Sequence, residues 1–320
     1  MSFRGGDSFL VRRPFKRALG LSYNAGPLRF PKAPSRERST PMITSAQNPR
    51  IKRALRLRSS RGRRQQQRMI LDGVREIRRA FRSGVAFVEL FVCDELCHAD
   101  ARALVGELSS AGFQGTPVTE SVFRKLAYGE RGEGLVAVAP MPPVDLGRLR
   151  MPPNALVAVL ERIEKPGNVG AVLRSADAAG VQALLLADGG TDLYHPNTIR
   201  ASLGAVFSVP VASAPNAQVR AWLDEQGFTL LAARVEAAHC YTDVVYRGRV
   251  AVVLGSEAHG LSDFWKGPEI TPIRLPMRGV VDSLNVSVAA SVIFFEACRQ
   301  RTAVSGRVPS DAIDRSPPLR

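Results

Sequence analysis

Cysteine is scarce in this 320-residue chain: Cys93, Cys97, Cys240 and Cys298 are all there are, and none forms a CxxC pair. That excludes the disulfide framework of small secreted domains and leaves reduced thiols as the expectation. Grouping Cys93, Cys97 and His98 with His239 and Cys240 does not reproduce the tight ligand spacing of zinc motifs, so no metal is expected. No apolar run reaches the roughly 20 residues needed to cross a bilayer, and no compact apolar core marks a secretory signal. A cytoplasmic protein without a membrane partner is expected. GxxxxGK[ST] is absent and no GxGxxG opens a helix after a strand, which argues against a nucleotide-dependent enzyme of Rossmann or P-loop type.

Acidic residues are also short, but only locally. The chain carries 44 Lys and Arg against 29 Asp and Glu, a formal net charge of +15. Residues 1–41 hold nine bases and two acids, residues 42–82 thirteen and two, and the rest sums to −3. An excess of one sign packed into the N-terminal quarter is a polyanion footprint. Arg50, Lys52, Arg53, Arg56, Arg58, Arg61, Arg63, Arg64 and Arg68 are the expected grip on RNA phosphates, against the alternative of a merely solubilising face.

Residues 1–41, rich in Arg, Pro, Ser and Gly, read as a disordered basic arm. The alternatives are an Arg-rich organelle presequence and sequence ahead of a true start at Met42. From 42 to 140 a small α/β unit is expected. It has a basic helix over 49–58, a linker at 59–64, and a helix over 69–83 with Ile70, Val74, Ile77 and Phe81 on one stripe. Strands at 88–94, 116–118 and 134–139 alternate with helices at 100–111 and 121–126. Four prolines mark 141–154 as a linker.

Over 155–302 short apolar strands alternate with helices, the pattern of a parallel sheet covered on both faces. Strands are expected at 155–160, 183–187, 207–211, 229–233, 250–254 and 271–275, and helices at 169–180, 196–203, 217–226 and 284–301. A flexible tail over 303–320 closes the chain. Ligands in such sheets sit beyond the carboxyl ends of strands, so those ends matter.

Three of them carry polar loops. "EKPGNVGAVLR" (164–174) places Asn168 as a helix cap and Arg174 six residues on; "GSEAHG" (255–260) flanks Glu257 with glycines that let backbone approach a ligand. "PMRGVVDSLNVS" (276–287) offers Asp282 or Ser283 as a cap for the last helix, with Asn285 beside it. A capping Asn, a tight turn and an over-capped helix account for each taken singly.

As an ordered set, NxGxxxR, GxExxG and PMxGxxxSLNxS resemble the SpoU (TrmH-type) family of SPOUT RNA ribose 2′-O-methyltransferases. "RASLGAVFSVPV" (200–211) resembles that family's intermediate motif, and "ITSAQNPRIKRALRL" with "LDGVREI" resembles its substrate-binding domain. The resemblance implies an α/β SPOUT (α/β knot) catalytic domain with a deep C-terminal trefoil knot. A small ribosomal-protein-like α/β substrate-binding domain would precede it. S-adenosyl-L-methionine is the implied cofactor, contacted by the backbone of Gly255, Leu275 and Leu284 with Leu254, Ser256, Met277 and Ser283 beside them.

Arg174 matches the family's proposed catalytic arginine, with Asn168, Glu257, Ser283 and Asn285 orienting it, the ribose or the cofactor loops. A free guanidine is scarcely populated at neutral pH, so an arginine there suits clamping phosphate and stabilising alkoxide charge better than acting as a base. Arg200 is implied to assist from the second subunit of a homodimer. RNA is the implied partner, ribosomal RNA ahead of transfer RNA. A non-catalytic RNA-binding or ribosome-assembly protein of the same fold is the rival reading.

Overall fold

A computed structural model describes residues 41–129 and 132–305. The expected basic arm and the C-terminal tail beyond 305 lie outside the described residues. The first region comprises α1 (Pro49–Arg56), α2 (Ser60–Gln66), β1 (Arg68–Asp72), α3 (Val74–Arg82), β2 (Glu89–Val92), α4 (Ala99–Ser110), β3 (Thr116–Pro117), α5 (Glu120–Leu126) and β4 (Leu135–Pro140). Its four strands lie in the order β1-β4-β2-β3, with β2 and β3 parallel and the other pairs antiparallel.

Two expectations fail here for local reasons. Residues 59–64, read as a linker, form α2: Ser59 caps it by accepting from the Gly62 amide at 3.0 Å. The helix expected over 69–83 is a strand followed by a helix. Met69, Ile70 and Leu71 are all buried, so they must face two sides of a sheet, and Gly73 at φ +97° turns the chain between β1 and α3.

The second region comprises β5 (Leu156–Glu161), α6 (Pro166–Ala179), β6 (Ala183–Ala187), α7 (Pro196–Ala201), β7 (Val211–Ala214), α8 (Asn216–Glu225), β8 (Thr229–Ala233), β9 (His239–Cys240), β10 (Val250–Leu254), β11 (Ile270–Arg274) and α9 (Val286–Ser305). Its seven strands are parallel throughout, in the order β7-β6-β5-β10-β8-β11-β9. The strand expected at 207–211 is displaced, because 205–207 form a 3-10 turn and pairing with β6 begins at Val211.

Period-two alternation sends each central strand into two cores. Leu156, Ala158 and Leu160 of β5 face one cluster with Val252 and Leu254 of β10; Val157 and Val159 face the other with Ala251 and Val253. The first cluster continues into the other sheet through Met69, Leu71, Leu135 and Ala137. The proline-rich linker is strapped down rather than loose: Leu146 and Leu149 are buried, and Arg249 donates to the carbonyls of Met151 and Pro152.

Strand order after β8 is re-entrant. The chain leaves β8 for the edge strand β9, returns to insert β10 between β5 and β8, then inserts β11 between β8 and β9. The carboxyl ends of β8, β10 and β11 therefore sit side by side, although β10 and β11 are joined through a long loop.

Candidate active site

Those three strand ends line a cleft of about 200 Å³, open on one side. Leu254, Ile273, Leu275, Leu284, Val286 and Ala289 supply apolar walls, while Gly255, Ser256, Glu257, Met277, Asp282 and Ser283 line the rest. All seven residues expected at the cofactor thus share one cleft.

The glycines of the Glu257 loop, which line the cleft, also meet each other within the loop. A Cβ on Gly255 would lie 2.1–2.3 Å from backbone atoms of Gly260 and Leu261. Gly260, at φ +62°, donates its amide to the Ser256 carbonyl at 2.9 Å. The pair closes the loop on itself, and that closure presents Glu257 outward.

Glu257 is the hub of the site. Its Oε2 accepts from Lys165 Nζ at 2.9 Å, and its Oε1 accepts from Asn168 Nδ2 at 2.8 Å and from Asn285 Nδ2. Asn285 Nδ2 also lies 3.4 Å from Asn168 Oδ1. One carboxylate therefore ties the entry of α6, the loop after β10 and the entry of α9. The Lys165 hydrogen bond, with those of Asn168 and the Val286 amide behind it, holds the Glu257 carboxyl below the usual carboxylate range. It is an ionised acceptor whose lone pairs are already engaged.

Both helix entries differ from expectation. Pro166 is the first residue of α6 and Lys165 its N-cap, so Asn168 lies inside the first turn, where its side chain is free to reach Glu257. At α9 neither Asp282 nor Ser283 caps. Asn285 does: its Oδ1 accepts from the Ser287 amide at 2.9 Å, and its carbonyl accepts from Val288 and Ala289.

The profile of the SpoU rRNA Methylase family matches residues 155–295, and that of an MRM3-like substrate binding domain matches 48–137. A 23S rRNA (guanosine-2′-O-)-methyltransferase of Vibrio vulnificus is 30% identical over 68% of this chain and 90% of its own length. A solved RNA 2′-O ribose methyltransferase is 40% identical, with a TM-score of 0.72 over 82% of this chain and 99% of that one. The chain belongs to the SpoU family. The solved SpoU methyltransferase AviRb from Streptomyces viridochromogenes, in complex with AdoMet, is 28% identical with a TM-score of 0.73 over 81% of this chain and 100% of that one.

The SpoU motif residues do not all meet in this chain. Arg174 is exposed on α6 and has no hydrogen-bond or ion-pair partner among the described residues. Six residues from Asn168, it lies about 9 Å along the helix and roughly 120° around it, so the two cannot point the same way. Its neighbour Ser175 bonds Ser291 of α9 at 2.6 Å, which puts Arg174 beside the α6–α9 seam. Ser283 lines the cleft without joining the Glu257 network.

The basic cluster divides in two. Lys52, Arg53, Arg56, Arg61 and Arg64 are exposed and Arg68 half-exposed, whereas Arg50 is bonded to Glu89 and Thr116, and Arg58 to the Ala127 carbonyl. Arg63 corrects the expectation outright. It is fully buried, donating to the carbonyls of Leu57 and Arg58 and to Asp192, so it cannot hold a phosphate. Arg200, implied to assist from the second subunit of a homodimer, donates one guanidinium N–H to the Tyr128 carbonyl of its own chain.

Sequence reasoning missed two contributors. Lys165 stands just before the Pro-Gly turn, where only the fold shows that it faces a carboxylate 92 residues away. Glu161 is buried at the end of β5, accepting from Asn216 Nδ2 at 2.6 Å and from the amide and hydroxyl of Ser262. It anchors the segment following the Glu257 loop. A lone acid ending an apolar strand was the available signal.

Proposed function

We propose that this chain is an S-adenosylmethionine-dependent methyltransferase that modifies a ribose 2′-hydroxyl in structured RNA, ribosomal RNA in particular. The observation that carries the reading is the position of the Glu257, Asn168 and Asn285 network at the mouth of the cleft between β8, β10 and β11. The cleft fits the donor. Leu254, Leu275 and Leu284 offer apolar surface for a purine ring, and the carboxylates of Glu257 and Asp282 suit a sulfonium charge. When bound, the donor supplies an electrophilic methyl group.

The chain's own residues do the positioning. Glu257 acts as the organiser that holds the three loops in register, because both its oxygens are occupied and its carboxyl is ionised. Asn168 and Asn285, oriented by it, present polar edges where a ribose would enter. Arg174 clamps the target phosphate and offsets charge developing on the attacking oxygen, the task a guanidinium fork does well.

Arg174 supports a further part of the reading, a homodimer. Val288 and Phe295 of α9 are 47% and 53% exposed and lie three residues before and four after Ser291, on the stripe at the α6–α9 seam. A second copy seated there would cover this apolar stripe and bring its Arg174 against the first copy's site. The re-entrant strand order supports the deep trefoil knot that the family resemblance implies. Among the described residues no helix is long and apolar enough to cross a membrane. A ribosomal RNA substrate fits the expected cytoplasmic location.

Mapping 2′-O-methyl groups in total RNA with and without the gene tests the function. One ribose that loses its methyl group in the deletion, and regains it with the wild-type gene, is expected. Unchanged RNA, with purified chain that binds RNA but not S-adenosylmethionine, would instead establish the non-catalytic reading.

A further inference from the structure

Among the described residues Arg63–Asp192 is the one ion pair joining the two sheets' regions, with Nε and Oδ2 2.7 Å apart. A fully buried guanidinium is unusual on a helix whose neighbours Arg61 and Arg64 are exposed, and it demands a partner. Asp192 meets that demand from the turn before α7. Its Oδ1 accepts from the Tyr194 amide at 2.8 Å, and its carbonyl accepts from the His195 amide at 3.0 Å.

That turn and α7 are braced against the entry of α6. Thr191 donates to the Glu164 carbonyl at 2.9 Å, and the Thr198 hydroxyl lies 3.3 Å from the Pro166 carbonyl. At Gly170 the helices touch so closely that a Cβ would meet the Thr198 carbonyl oxygen at 2.7 Å and the Ser202 amide at 2.9 Å. Short, stiff links therefore run from α2 through Asp192 and α7 to the helix that carries Asn168 and Arg174.

We propose that Arg63 and Asp192 are a positioning pair that sets the register of bound RNA against the site. Arg61 and Arg64 hold phosphates on the outer face of α2. Arg63, on the same turn, fixes that face at a constant offset from α6, so one ribose is presented and its neighbours are not. The inference rests on the RNA-methyltransferase reading above.

The test uses the full chain with Asp192→Ala and with the milder Asp192→Asn. Asparagine retains size but offers one oxygen where the Tyr194 amide and Arg63 Nε need two. The probe is protein-free ribosomal RNA from a strain lacking the gene, with labelled S-adenosylmethionine and mapping of every methylated ribose. For Asp192→Asn, half-saturating RNA should stay within about twofold of wild type while kcat falls about tenfold or more, since small misplacements are expensive in rate. Methyl label should also spread to adjacent riboses, which a merely structural residue would not cause. Amide exchange over 190–203 should rise about tenfold. A single methylated ribose with kcat near wild type, or RNA binding lost in step with kcat, would overturn the proposal. If wild type itself transfers no methyl group, the functional reading fails, and exchange over 190–203 still decides whether the tie exists.

Discussion

Helices α1 and α2 and the loops around Glu257 use charge in opposite ways. On the helices Lys52, Arg53, Arg56, Arg61 and Arg64 stand separately in solvent. Around Glu257 one carboxylate is shared by Lys165, Asn168 and Asn285. Members of a dispersed array contribute nearly additive shares of attraction, so losing one weakens the whole slightly. A network built on one shared acceptor depends on that hub, because removing it unties three segments at once. Substitution should therefore be tolerated on α1 and α2 and not at Glu257.

Glu257→Ala should be the most damaging change: kcat is expected to fall about 10³-fold, with RNA affinity nearly unchanged. Methyl transfer at saturating RNA, set beside a filter-binding titration, measures both. The same hub has a pH signature. Its folded-state carboxyl is depressed below the ordinary range, so the clamp is intact above that range and is lost only as pH falls through the lowered value. An acid limb in kcat near neutral pH could not then belong to Glu257, and a limb that disappears in Glu257→Gln would contradict this account.

Arg174→Lys comes next, at about 10²-fold in kcat, because an ammonium cannot replace a two-pronged contact with phosphate. Near-normal turnover in that variant would remove the fork from the mechanism. Phe295→Asp should convert a dimer to a monomer, as read by light scattering, with kcat reduced by a similar factor of about 10² as the second copy's Arg174 is withdrawn. A monomeric wild-type chain at working concentration would defeat it. Smallest is the pair Arg61→Ala with Arg64→Ala. RNA affinity should fall modestly, and the slope of log affinity against log salt should shrink by about 1.4 to 1.8.

How far the sequence could be read follows the same division. Continuous apolar runs exposed the strands of the parallel sheet at β6, β8 and β10 because both faces of each are buried, and the basic load of α1 and α2 needed only counting. Reading stopped where one residue has two local meanings. Ile70 fits a helix stripe with Val74, Ile77 and Phe81 as well as it fits a buried strand with Met69 and Leu71, and only pairing with β4 decided between them. Arg63 looked like its exposed neighbours. No local pattern reports an aspartate 129 residues away, and that partner changed its role from gripping RNA to joining the two regions.

What this sequence determined unaided is therefore its local currency of structure: which segments alternate, where backbone must turn, and how much positive charge the N-terminal quarter carries. The tertiary structure alone decided which of those segments meet. Asn168, Glu257 and Asn285 are separated by 89 and 28 residues, and they converge because β10 and β11 are inserted on either side of β8 rather than appended at an edge. Contact across such separations is a property of strand order, and strand order is set by packing two apolar faces together, which no short stretch of chain encodes.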